Sequence, residues 1–117
     1  MDDRQVVGRA SEDAVADEMV RRGYRVVARN ARARCGEIDL VVRRGREVVA
    51  VEVRSRRTGD GDDAADSVQA VKRGRVRRTM EFWLAFRPED YDEVRFFVAT
   101  VAWRGTTPSI AVLEDAF

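Results

Sequence analysis

Hydrophobic and polar positions divide the chain into seven segments, two with helical spacing and five that read as strands. Between Ser11 and Arg22 the apolar residues Ala14, Val15, Ala16, Met19 and Val20 recur at helical intervals. Ser11 is placed to cap this helix, Glu12 and Asp13 suit the positive end of its dipole, and Gly23 suits its exit. A second helix is predicted over Asp66–Phe86, capped by Asp66 or Ser67, with Pro88 just beyond its end. Its buried stripe is Val76, Met80, Trp83 and Leu84, and Phe82 and Phe86 are expected to join Trp83 in the core. Gly74 costs that helix about 1 kcal/mol relative to alanine, enough to allow a bend.

The strands are Tyr24–Ala28, Ile38–Val42, Val48–Val53, Val94–Trp103 and Ser109–Leu113, all rich in β-branched and aromatic residues. Arg29–Arg34 reads as a basic connector, Arg44-Gly45 as a hairpin turn, and residues 57–65 as a loop rich in Gly and Asp. The order helix, three strands, helix, two strands predicts a single three-layer α/β domain spanning 1–117, with a mixed sheet of about five strands flanked by helices.

Carboxylates interrupt the central hairpin. Glu37, Asp39 and Val41 should share one face, opposite Ile38, Leu40 and Val42; Glu52 and Arg54 should share a face with Val48 and Ala50. A two- or four-residue loop centred on Arg44-Gly45 pairs Asp39 with Ala50 and Glu37 with Glu52, making Asp39 and Glu52 diagonal neighbours roughly 7–8 Å apart at the backbone. Three carboxylates gathered this way repel one another unless a hard divalent cation compensates, and Mg²⁺ is the usual partner where phosphate is the substrate. Arg54 would then place a fixed positive charge beside the cation. Glu12, on the apolar side of the first helix, can reach inward toward the sheet, and Lys72 lies on the backward extension of the second helix's buried stripe. The competing reading is plainer: strand acids facing solvent, Arg54 paired with Glu37, and Glu12 as a dipole partner.

Composition narrows the chemistry. The absence of histidine removes a histidine general base, most zinc sites and Ser-His-Asp catalysis. One cysteine, Cys35, cannot form an internal disulfide and, with no apolar run of membrane-spanning length, leads us to expect a cytoplasmic protein. Net charge is only +1, but its distribution is uneven. Six arginines and no acid lie between Met19 and Gly36, and Lys72–Arg78 adds five cations, so a basic, phosphate-binding face can exist on a nearly neutral molecule.

Gly36-Glu37-Ile38-Asp39-Leu40 followed by Val51-Glu52-Val53-Arg54-Ser55-Arg56 resembles the YraN-like family of uncharacterised proteins, proposed endonucleases related in fold to archaeal Holliday junction resolvases and restriction endonucleases. The resemblance runs from Gly8 to Ala116-Phe117. It implies a restriction-endonuclease-like domain with a Mg²⁺- or Mn²⁺-dependent phosphodiesterase site: Asp39 and Glu52 holding the metal, assisted by Glu12 and Glu37, with Arg54 stabilising charge. It further implies nucleic-acid contacts from Asn30, Arg32, Arg56 and Lys72, a substrate of structured or branched DNA, and a homodimer suited to a two-fold substrate. One departure stands out, Phe97 in place of an aspartate usual in the family; at Arg54 the related nucleases generally carry lysine, while the YraN-like family allows either residue. A nuclease-like module that binds nucleic acid without cutting it is the alternative, and a protein-interaction role is the third.

Overall fold

The computed structural model describes the backbone of residues 3–57, 70–87 and 90–116. The elements are α1 (Asp3–Arg21), β1 (Arg25–Ala33), β2 (Gly36–Arg44), β3 (Glu47–Arg57), α2 (Ala70–Ala85), β4 (Glu93–Arg104) and β5 (Thr107–Leu113). One sheet runs in the order β1-β2-β3-β4-β5, antiparallel throughout except for the parallel pair β3–β4, whose connection carries α2. Helices α1 and α2 cover opposite faces, giving the expected three layers around a mixed five-stranded sheet.

Two apolar clusters hold the layers together. Beneath α1, Val15, Ala16 and Met19 pack on Leu40, Val42, Val49, Val51, Phe97, Ala99 and Val101. Beneath α2, Val76, Met80, Trp83 and Leu84 pack on Ala31, Ile38, Val41, Val48, Ala50 and Phe96. The central strands are therefore apolar on both faces, as a strand between two helical layers requires. Phe97 is buried in the first cluster and meets Tyr24 edge to face.

Several boundaries differ from the sequence reading, each for a physical reason. Helix α1 starts at Asp3, so Ser11 lies inside it; its fully buried hydroxyl accepts the Trp103 indole N–H at 2.9 Å instead of capping the helix. Gly23 does end α1, with φ +96° and the Tyr24 amide donating to the Met19 carbonyl. Val20 is exposed, outside the stripe. The expected connector Arg29–Arg34 is mostly strand: β1 continues to Ala33 and turns through Arg34-Cys35 into β2. Gly74 does not interrupt α2, and Phe82 and Phe86 face outward while Trp83 alone of the three is buried. The tight turn is Gly45-Arg46, with Gly45 at φ +61°, so the β2–β3 register pairs Leu40 with Val51 and not Asp39 with Ala50. That register is displaced by two residues from the expected one, which leaves the face assignment along β3 unchanged.

Near that turn, Arg95 gathers the ends of three strands. It donates to Glu47 at 2.7 Å, to Glu114 at 2.8 Å and to both oxygens of Asp115, and it lies over the Phe97 ring. The Ala116 amide then donates to the Phe96 carbonyl, seating the segment after β5. The predicted loop after β3, the cap at Asp66 or Ser67, Pro88, Phe117 and the Lys72 side chain lie outside the described residues.

Candidate functional site

The β2–β3 ladder runs from the Gly45-Arg46 turn to Leu40–Val51 and stops. Continuing the same register would set Asp39 opposite Glu52 and Ile38 opposite Val53. Instead the Asp39 carboxylate accepts the Val53 amide at 2.8 Å, doing for that N–H what a ladder carbonyl would have done. Beyond this point the segment Gly36–Ile38 stays paired with β1, while Glu52–Arg57 stays paired with β4. The sheet forks there, and an aspartate stands at the junction.

The fork coincides with a break in strand alternation. Ile38 packs under α2, whereas Leu40 and Val42 pack under α1, so the expected shared face for these three residues is not observed. Across from Asp39, Asn30 adopts φ +50°, in the left-handed region that Asn tolerates better than most residues. Oriented to satisfy its hydrogen bonds, its amide donates to Glu37 Oε1 at 2.8 Å and Glu12 Oε1 at 3.1 Å. This brings α1 and β2 carboxylates to one group. Burial pushes the Glu12 carboxyl above its ordinary value, and the neighbouring Glu37 and Asp13 add to the rise against Arg29 and Arg9.

Strand β3 keeps strict register with β4, so Glu52, Arg54 and Arg56 follow Val48 and Ala50 on the α2 side. Arg54 Nη2 stands 4.0 Å from Glu52 Oε1, beyond hydrogen-bond reach. Among the described residues, its Nε and Nη2 are buried without an acceptor. Guanidinium donors left so are costly, by about 1–3 kcal/mol, and suit an incoming anion.

Of the predicted residues, Asp39 binds the backbone amide of Val53, the residue between Glu52 and Arg54; Glu52 and Arg54 stand 4.0 Å apart on the α2 side, and Asn30 links Glu37 to Glu12 of α1. Arg32 is exposed on the edge strand β1 and pairs with Glu37 at 3.3 Å, and Arg56 is half-buried near the end of β3. Lys72 falls in the first turn of α2. Among the described residues, no three acidic or sulfur side chains converge tightly enough to hold an ion by themselves. The donors at the fork are nonetheless hard oxygens, and Mg²⁺ commonly takes one or two protein carboxylates while keeping water and phosphate ligands. In donor chemistry alone, carboxylate oxygens with no nitrogen or sulfur ligand match such an ion. Sequence reasoning missed two features: the Val53 amide as the group that fixes Asp39, and Asn30 as the link between carboxylates. An Asn at a strand position, where it is intrinsically disfavoured, was the available signal.

The model of the family described as "Uncharacterised protein family UPF0102" matches residues 11–101. Similar proteins include a UPF0102 protein of Corynebacterium efficiens, 44% identical over 90% of this chain and 84% of its own length. Another, from Rhodopseudomonas palustris, is 42% identical over 81% of this chain and 72% of its own length. A third, from Sorangium cellulosum, is 41% identical over 99% and 83%.

Proposed function

The chain belongs to the uncharacterised protein family UPF0102, the YraN-like proteins, and from that premise we propose that it is a metal-dependent endonuclease acting on structured or branched DNA. The observation that carries the proposal is the Asp39 carboxylate held on the Val53 amide where β2 and β3 part, with Glu52 and Arg54 flanking Val53 in sequence and, among the described residues, the Arg54 Nε and Nη2 buried without an acceptor. Asp39 and Glu52 would hold Mg²⁺ or Mn²⁺, with Glu12 and Glu37 as additional oxygen donors on the β1–β2 side. Such an ion supplies Lewis-acid polarisation of a phosphate and a more acidic bound water.

The protein's own residues supply the rest. Arg54 offers two N–H groups to a phosphate oxygen and stabilises negative charge as it builds. It cannot release a proton near neutral pH, so general-base chemistry does not fall to it. Arg32 and Arg34, exposed on β1 and its turn, and Arg75, against Gly36 at that end of α2, extend positive charge beside the fork. Lys72, whose backbone lies in the first turn of α2, is the further residue proposed to contact phosphate.

The non-catalytic reading is favoured by one observation: arginine at position 54, where a proton-transferring lysine would serve hydrolysis better. A panel of branched, nicked, duplex and single-stranded DNA incubated with Mn²⁺ decides between them. Cleavage that requires Mn²⁺ and is lost in Glu52→Gln supports the nuclease. Tight junction binding without cleavage under any ion, unchanged by that substitution, supports the binding module.

A further inference from the structure

The outward flank of α2 belongs to neither core and runs away from the fork. At helical spacing, Arg75, Arg78 and Phe82 fall within one narrow stripe of α2, about 10 Å long at 1.5 Å per residue, and Phe86 follows in the turn just past the helix end. All four are exposed, with Phe82 at 40% and Phe86 at 86%. Neither phenylalanine belongs to the core cluster under α2, which holds Val76, Met80, Trp83 and Leu84, and Phe86 in particular leaves most of its ring in solvent. Tyr91, just before β4, is also exposed at 40%.

The basic half of the stripe ends at the fork. A methyl group added at Gly36, in β2 just before Glu37, would touch the Arg75 side chain, so Arg75 lies against the β1–β2 turn that carries Arg32 and Arg34. Moving away from the fork, the flank passes from cations to exposed rings. A duplex keeps its bases stacked inside and offers rings nothing to bind, whereas an unpaired strand offers phosphates and base faces together. We propose that the α2 flank binds an unpaired nucleic-acid strand, with Arg75 and Arg78 on phosphates and Phe82 and Phe86 stacking on bases. This deepens the nuclease reading, on which it rests: the substrate of the fork would be DNA carrying a single-stranded arm or gap. Glu81, one step round the helix, faces solvent beside the stripe and limits how far a phosphate path can spread.

The test measures binding of the full chain to a fluorescent oligothymidine and to a matched duplex in EDTA across a salt series. The wild-type chain should prefer the single strand. The double substitution F82A/F86A should weaken that binding at least about 5-fold while leaving duplex binding and the slope of affinity against salt unchanged. Arg75→Ala should instead lower the slope, by about 0.7 for one lost phosphate contact on a single strand. Equal affinity of wild type and F82A/F86A for oligothymidine overturns the proposal. So does a dimer in analytical ultracentrifugation that becomes monomeric in F82A/F86A, since the rings would then meet a second copy. Neither result touches the nuclease reading, which stands or falls on Mn²⁺-dependent cleavage and Glu52.

Discussion

Asp39 has a structural duty and a proposed chemical one, and two substitutions separate them. Its carboxylate accepts the Val53 amide at 2.8 Å in a partly buried position just past the last β2–β3 pair, Leu40 and Val51. Asp39→Ala leaves that N–H without this acceptor, at a cost of about 1–3 kcal/mol. For a chain of this length, with roughly 4 °C lost per kcal/mol, the melting temperature should fall by about 4–12 °C. Asp39→Asn keeps an oxygen acceptor in place and forfeits only the charge assistance, about 1 kcal/mol or less. The same Asn, lacking a negative charge, should lose Mn²⁺ affinity and reduce cleavage more than about 100-fold. Thermal unfolding in EDTA followed by circular dichroism, with calorimetric Mn²⁺ titration of the same samples, reads both effects. Asn as destabilised as Ala would remove the Val53 bond as the reason for the side chain's place. Asn with wild-type Mn²⁺ affinity and cleavage would remove Asp39 from the chemistry.

Arg95→Ala should cost about 3 kcal/mol at pH 7, because it strips a partly buried Glu47 of a charged donor and releases Glu114 and Asp115. Burial works to raise the Glu47 carboxyl, yet hydrogen bonds from Arg95 and Tyr24 hold it below its ordinary value, and Arg95 does the same for Asp115. The stability they contribute is therefore present above about pH 4.5 and lost as pH falls through the lowered folded values. Urea unfolding should show the Arg95→Ala deficit shrinking toward pH 3, and a deficit constant across that range would contradict the assignment. Glu12 has the opposite sign: burial first, then Glu37, raises its folded pKa, so stability falls as pH rises above its ordinary 4.5. Glu12→Gln should raise the unfolding free energy at pH 7, by no more than about 1 kcal/mol after solvent screening, seen as a higher urea midpoint, and have no effect near pH 3; destabilisation at pH 7 would refute it. Arg54→Lys should retain phosphate binding and raise Mn²⁺-dependent cleavage with a rate that climbs with pH, and a pH-independent rate equal to wild type would show that no proton transfer passes through this position.

What the sequence revealed and what it hid divide along a physical line. The β-branched runs of β2, β3 and β4 are bounded by turn residues, and their burial leaves few alternatives, so the layers and the apolar stripes were legible. The Val76, Met80, Trp83, Leu84 stripe came from periodicity alone, and all four are buried. Phe82 and Phe86 were misplaced because ring hydrophobicity was weighed above angular position; one helical turn apart, they lie on a flank that the sheet does not reach. Strand β1 was cut short because arginine-rich sequence reads as loop. An edge strand needs an apolar face on one side only, and Arg29 and Arg32 project from it into solvent. Ser11 looked like a cap because nothing in the local sequence anticipates a tryptophan indole 92 positions later that needs an acceptor.

Alternation predicted that Asp39 and Glu52 lie on one face, and the fork shows why such counting is the wrong instrument at this place. Asn30 and Asp39 lie across from each other, both poor strand formers, and there the chain leaves the pleat: Asn30 through a positive φ, Asp39 through a side chain spent on a neighbouring amide. A sheet optimised only for stability would place Val or Thr at both positions and carry the β2–β3 ladder on to Gly36. Keeping two polar residues there forgoes cross-strand pairs worth roughly 0.2–1 kcal/mol each. In exchange the Asp39 carboxylate is fixed on the Val53 amide at the end of the β2–β3 ladder. Local rules fail most often where a site is built, so the failure of strand alternation at Asn30 and Asp39 is the structural reason for proposing the site at this place.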